Sequence, residues 1–241
     1  MTGPPRRFIP IPEVTHGATL RVAVIDSGIA PGHPHVGSVA GGIALVGEDP
    51  NDTRDRLGHG TAVAAAILEK LPQNAAELIA VRVLDRELAT TARILSLGIE
   101  WATTASARLI NLSLATTNAA HAALFAHAVD VAGEQGAIVV SARGERGASL
   151  FPGSLRGVIG VRADSECPRF SLAVDVDEGD GWPVLVASPF PRPIDGVSVD
   201  RNLSGVSFAV ANATGLLGRL VMAQPDRCTA ADLLDWFVER S

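Results

Sequence analysis

The sequence predicts a three-layer α/β/α fold with a mostly parallel central sheet, and three observations carry that prediction. Short, continuous apolar runs such as Val22-Ala23-Val24-Ile25 and Ile138-Val139-Val140 read as strands covered on both faces. These runs alternate along the chain with longer segments whose apolar residues recur at helical spacing. The chain also has 241 residues, 47% of them hydrophobic, which is enough for one large core. With no Tyr, three Trp and seven Phe, that core must be filled by Ala, Val, Leu and Ile.

Each element follows in order. Residues 1–19 read as an extended arm, with Pro4, Pro5, Pro10 and Pro12, ahead of a single domain over 20–241. Arg21–Ile25 is a buried strand that runs into Asp26-Ser27-Gly28. Ile29 to Pro50 is loop-like, with a short strand at Ile43–Val46. Asn51 to Arg56 reads as a charged, solvated loop. A helix follows from Thr61, a good N-cap residue, to Leu71. Glu77–Asp85 is a strand. Thr91–Ser106 is an amphipathic helix with Ile94, Leu97, Gly98 and Trp101 on one face. Then come a strand at Leu109–Leu114, a helix at Asn118–Gln135, and strands at Ala137–Ala142, Val158–Val161 and Val184–Ala187. Helices at Ser207–Met222 and Ala230–Glu239 complete the chain, and residues 175–200 read as an irregular loop. Right-handed crossovers bring the loops after the strands to one edge of the sheet.

Composition narrows the function. A net charge of −6 lacks the basic face that nucleic-acid binding wants. Two cysteines, Cys167 and Cys228, make neither a disulfide framework nor a metal-ligand cluster, and isolated thiols fit a reducing compartment. His33 and His35 have metal-ligand spacing, but no Cys or carboxylate cluster accompanies them. No cofactor is called for. Residues 1–12 carry no apolar core of a secretory signal, and the apolar stretches read as too short to span a bilayer. These readings point to the cytoplasm, with neither membrane nor nucleic acid as partner. Oligomeric state is not indicated.

Three stretches stand out together: Val24-Ile25-Asp26-Ser27-Gly28, Gly58-His59-Gly60-Thr61 and Gly205-Val206-Ser207-Phe208-Ala209. Asp, His and Ser occur in that order, the first at a strand end and the others at helix starts. A serine hydroxyl must lose its proton as it attacks, a neutral imidazole can take that proton, and a carboxylate can hold the imidazole. The order and contexts resemble those of the subtilisin-like serine proteases. Ala80–Asp85, Gly98–Ala102, Ile110–Leu114 and Phe151-Pro152-Gly153 extend the likeness over about residues 20–222. The resemblance implies a serine endopeptidase with Ser207 as nucleophile, His59 as general base and acid, and Asp26 as the orienting carboxylate. It implies a peptide or protein substrate that adds as a strand along Leu112, Ser113, Leu114 and Ala115. Ala142, Arg143 and Gly144 line the facing side. Calcium-binding loops of the family find no match here, so no metal site is carried over.

The chain also departs from the family. Glu145 stands where the family places its oxyanion-hole asparagine, and an ionised carboxylate there would repel the tetrahedral intermediate. Three outcomes stay open: Glu145 protonated and donating a hydrogen bond, Glu145 turned to pair with Arg143 or Arg146 and leaving Arg143 or the Ser207 N–H as donor, or an inactive or weakly active site, for which the rival reading is a protease-fold module that binds peptide strands without cutting well. Arg143 replaces a small residue of the primary pocket; pointing inward it would favour acidic side chains, pointing outward it would be solvated. Ala115 replaces a glycine and narrows the adjacent subsite. The first strand begins near Arg21, which leaves no room for a long propeptide, so the expected role is a narrow one, such as processing a specific peptide or precursor.

Overall fold

The computed structural model describes residues 6–14, 19–84, 89–144, 148–198, 201–224 and 228–241. Its strands are β1 (Ile9–Pro10), β2 (Leu20–Asp26), β3 (Gly41–Ala44), β4 (Ala76–Arg82), β5 (Leu109–Leu112), β6 (Ile138–Ala142), β7 (Val158–Ala163), β8 (Ser171–Val176) and β9 (Pro183–Ala187). Its helices are α1 (His59–Leu68), α2 (Ala92–Thr104), α3 (Ala122–Glu134), α4 (Val206–Ala223) and α5 (Ala230–Val238). The strands join in one sheet, ordered β1-β8-β9-β7-β6-β5-β2-β4-β3. From β9 to β3 every pairing is parallel; β8 and β1 continue the sheet antiparallel.

The alternation of side chains across β2 divides the core in two. Val22 and Val24 face the cluster built with α1 and α4, while Ala23 and Ile25 face the cluster built with α2 and α3. With both faces covered, β2 is apolar throughout its centre, as the sequence predicts. The chain winds to one side of β2 through β4 and β3, and to the other through β5, β6 and β7. The order therefore reverses beside β2. In open α/β sheets the crevice at the carboxyl ends of the strands flanking such a switch point is where ligands bind. Asp26 is the last residue of β2.

Several expectations are corrected. The N-terminal arm is tied down: Ile9 and Pro10 pair with β8, and Ile9 and Ile11 are buried in the core. Arg6 adds ion pairs to Asp164 and Asp175. The segment read as irregular from residue 175 includes the end of β8, whose alternation of Leu172, Val174 and Val176 with smaller or polar residues marks a strand. α4, 18 residues long, is apolar enough in length and composition to cross a membrane, contrary to the expectation of short runs. It is apolar on most of its faces because the sheet and α1 enclose it. Cys167 and Cys228 are both free and buried.

Candidate active site

Asp26 is fully buried at the end of β2, and its Oδ1 lies 2.7 Å from His59 Nδ1. The same oxygen accepts the Ser27 N–H at 2.7 Å, while Oδ2 is buried without a hydrogen-bond partner among the described residues. His59 opens α1 and keeps about a third of its side chain exposed. The hydrogen bond that His59 donates to Asp26 raises the imidazole pKa above its usual value; burial opposes this, and the charges of Asp26 and Asp55 reinforce it. Gly60 permits the approach of α1 to β2: a Cβ there would lie 2.2 Å from the Gly28 carbonyl oxygen and 3.2 Å from Asp26 Oδ1.

The start of α1 depends on a residue that sequence reasoning assigned to solvent. Asp55 is partly buried, and its Oδ1 accepts the N–H groups of Leu57 and Gly58 and the Ser27 hydroxyl. Its Oδ2 accepts both the Thr61 N–H and the Thr61 hydroxyl, at 2.8 and 2.6 Å. Ser27 Oγ in turn accepts the Gly60 N–H. The carboxylate satisfies helix-end donors that the sequence reading gave to Thr61 as N-cap; the cap residue is Gly58, and Thr61 lies inside the helix. Burial works to raise the Asp55 pKa, but the hydrogen bonds from Thr61, Leu57 and Gly58 outweigh it and hold the group below the usual carboxylate range. An aspartate four residues before a Gly-flanked histidine is the signal that could have marked it.

Ser207 is the second residue of α4, behind the cap residue Gly205. The next residue, Phe208, packs its ring 5.8 Å from the His59 ring, so the start of α4 lies against the start of α1. Among the described residues no hydrogen bond joins Ser207 Oγ to His59. Catalytic hydrogen bonds are often longer without substrate. The Ser207 N–H is one of the first N–H groups of α4, which have no acceptor within the helix. Ser113 Oγ reaches the Ser207 carbonyl at 3.3 Å, and Asn111, two residues earlier in β5, bonds Ser113 and Thr214 of α4. This buried polar chain fixes the end of β5 against the serine-bearing helix, and sequence reasoning missed it. Asn212 holds the loop before α4 through the carbonyls of Ser188 and Phe190, both at 2.9 Å.

The residues expected to bind substrate fall at neighbouring strand ends. Leu112 closes β5 and Ala142 closes β6, and the two strands pair side by side. Leu114 and Ala115 are partly exposed beyond β5; Arg143 and Gly144 are buried beyond β6. Arg143 does not take the solvated orientation that the sequence left open; it lines a cavity with Ala148, Phe151 and Ser154. Its side chain is buried and ion-paired, Nε to Asp177 at 3.1 Å and Nη2 to Asp180 at 2.7 Å. Arg162 also pairs with Asp177 and donates to the Gly144 carbonyl. The guanidinium of Arg143 is thus a strut between β6 and the turn after β8, and its charge is already matched by carboxylates of this chain. Glu145 lies outside the described residues. Among those described, no group of three or more His, Cys, Asp or Glu side chains is arranged to hold a metal.

A model of the subtilase family (Peptidase_S8) matches residues 17–240. A subtilisin of Bacillus pumilus is 32% identical over 234 residues, covering 90% of this chain and 77% of its own length. Subtilisin E of Bacillus subtilis is also 32% identical over 234 residues, but the match spans 56% of that protein. Among solved structures, sphericase superposes with a TM-score of 0.73 at 21% identity, covering 96% of this chain and 86% of that one. The nisin leader peptidase NisP of Lactococcus lactis gives 0.68 at 19% identity, covering 95% and 82%. A lanthipeptide protease gives 0.67 at 19% identity, covering 91% and 80%. On the match over residues 17–240 and the identity to subtilisins, the chain belongs to the subtilase family of subtilisin-like serine peptidases.

Proposed function

We propose that this chain is a serine endopeptidase in which Ser207, His59 and Asp26 act as one catalytic unit. The observation that carries the reading is the 2.7 Å contact between His59 Nδ1 and a fully buried Asp26, with the Ser207 helix packed against the same imidazole. Asp26 holds the Nδ1–H tautomer, which leaves the Nε2 lone pair free. As Ser207 Oγ bonds to the scissile carbonyl carbon, its proton passes to Nε2, and the Asp26 charge stabilises the imidazolium. The carbonyl oxygen becomes an oxyanion at the start of α4, near the Ser207 N–H and the positive end of the helix dipole. Collapse of the intermediate breaks the C–N bond, and Nε2 returns its proton to the leaving amine. Water then repeats the sequence on the acyl-enzyme, with His59 again as base.

The substrate in this reading is a peptide strand laid between the ends of β5 and β6, along Leu112–Ala115 and Ala142–Gly144. We take it to be a specific peptide or precursor, the class that the names of two solved neighbours give for those proteins. The compartment we propose is the cytoplasm, in keeping with two buried, unpaired thiols. The second reading, a peptide-binding module with poor turnover, is favoured by Glu145 at the oxyanion position. One experiment separates them. Peptide cleavage is measured for the natural chain, Ser207→Ala and Glu145→Asn. The endopeptidase reading expects turnover that Ser207→Ala lowers by roughly 10⁴-fold or more. Turnover absent from the natural chain and restored by Glu145→Asn would establish the module reading.

A further inference from the structure

A cavity of about 410 Å³ opens at the start of α1, lined there by Asp55, Gly58, Thr61 and Ala62, so that it takes in residues on both sides of His59 in the chain but not His59 itself. Its other walls come from the loop after β2, with Ala30, His33 and His35, and from the chain leading into α4, with Pro191, Arg192, Asn202 and Leu203. None of its lining residues belongs to β5, β6 or the segments that follow them. It is therefore away from the edge on which the acyl half of a substrate strand would lie. A second cavity of about 490 Å³ continues from it, sharing His35 and Arg192 and running toward Gln73 and Asn74. The two meet at His35 and Arg192 and make one track that starts at the residues flanking His59.

The track has an apolar start and a basic waist. Ile194 and Leu203 stand at the first cavity half exposed, at 50% and 56%, over a floor of Ala62 and Ala65. Exposed branched side chains beside a reacting centre are what an apolar substrate side chain would cover. At the waist, Arg192 has no ion-pair partner among the described residues, and its charge is close enough to lower the pKa of His35, after burial as the larger cause. Two carboxylates at the track are already engaged. Asp55 is taken up by Ser27, Thr61 and backbone N–H groups. Glu69 pairs with Lys70 and Arg169, while Asp195, three residues on from Arg192, makes no ion pair among the described residues. Asn202 donates to the Arg192 carbonyl at 3.2 Å and fixes the backbone beneath the guanidinium.

We propose that this track binds the leaving-group half of the substrate, taking an apolar side chain in the first cavity and an aspartate or glutamate side chain at Arg192. The proposal rests on the endopeptidase reading for its geometry and names the substrate class that reading lacks: peptides that are apolar and then acidic after the scissile bond. The acidic preference that the sequence associated with Arg143 belongs instead to Arg192, whose charge is not matched by this chain.

The test uses C-terminally amidated peptides, so that only side chains carry charge. Their acyl halves are identical, and their leaving halves read Leu-Glu-Glu or Leu-Lys-Lys. The natural chain should favour the acidic peptide in kcat/KM by about two- to fivefold, the scale of a partly exposed ion pair. Arg192→Gln should bring the ratio to about one, and Arg192→Glu should invert it. The ratio is the readout, so a variant that merely loses activity does not imitate the result. The same pair of leaving halves is titrated against the Ser207→Ala chain by fluorescence anisotropy. This arm keeps its meaning if the natural chain does not cleave, so failure of the track and failure of the endopeptidase reading are seen separately. A ratio that Arg192→Glu leaves unchanged in both arms overturns the proposal.

Discussion

At the scale of residues, His59 shares one buried carboxylate oxygen with the Ser27 N–H, and that geometry fixes how the site should respond to pH. The Asp26 hydrogen bond raises the His59 pKa, so the imidazole stays protonated to higher pH than a free histidine. A protonated base cannot accept the Ser207 proton. kcat/KM should therefore rise with pH through an inflection above 6.5 and then level off. Asp26→Asn should lower the inflection and cost roughly 10⁴ in turnover. Asp55→Asn should lower it by less, because Asp55 acts on His59 only through its charge. A pH–rate profile of the three proteins checks both. The same residues mark what the sequence made legible. Asp26, His59 and Ser207 sit beside glycines at element ends, which is a local signal. Asp55 was hidden because it contacts backbone N–H groups and hydroxyls, which any carboxylate in any turn can do. The orientation of Arg143 was hidden because its partners, Asp177 and Asp180, come from a turn far along the chain.

At the scale of elements, α1 is placed by close contact. Gly60→Ala would push a methyl group into the Gly28 carbonyl and toward Asp26. We expect a loss of about 1–3 kcal/mol in denaturant unfolding, with turnover falling further than stability explains because His59 moves with the helix. Just beyond α1, Lys70 is fully buried, 2.5 Å from Glu69 and over the Phe170 ring. Burial lowers its pKa to about 8 despite Glu69. Between about pH 8 and 10.5 the unfolded chain holds a proton that the folded chain has released. In that window folding becomes more favourable as pH rises. Cys167 works the other way above pH 9, since burial pushes its thiol up to about 12. Comparison with Lys70→Met cancels the thiol: the natural chain should gain on the variant by about 3 kcal/mol across the window. An unchanged difference in urea unfolding at the two ends would refute the assignment. Strand and helix positions were mostly legible from apolar runs. β1 and β8 were not, because a two-residue strand has no periodicity and β8, antiparallel between β1 and β9, has a partly exposed end instead of a continuous apolar run.

For the whole molecule, the sheet order puts Asp26, the start of α1 and the start of α4 at one switch point, although the residues lie at positions 26, 59 and 207. The fold class was legible because parallel strands buried on both faces must be continuous apolar runs. The central claim is that the three residues form a working unit, so that Ser207 is nucleophilic only because His59 takes its proton. A serine-directed fluorophosphonate followed by peptide mass mapping tests this most directly. The account predicts a single adduct on Ser207, formed above the His59 inflection and lost in His59→Ala. No adduct on the natural chain, or an adduct on Ser207 that forms equally fast without His59, would contradict it.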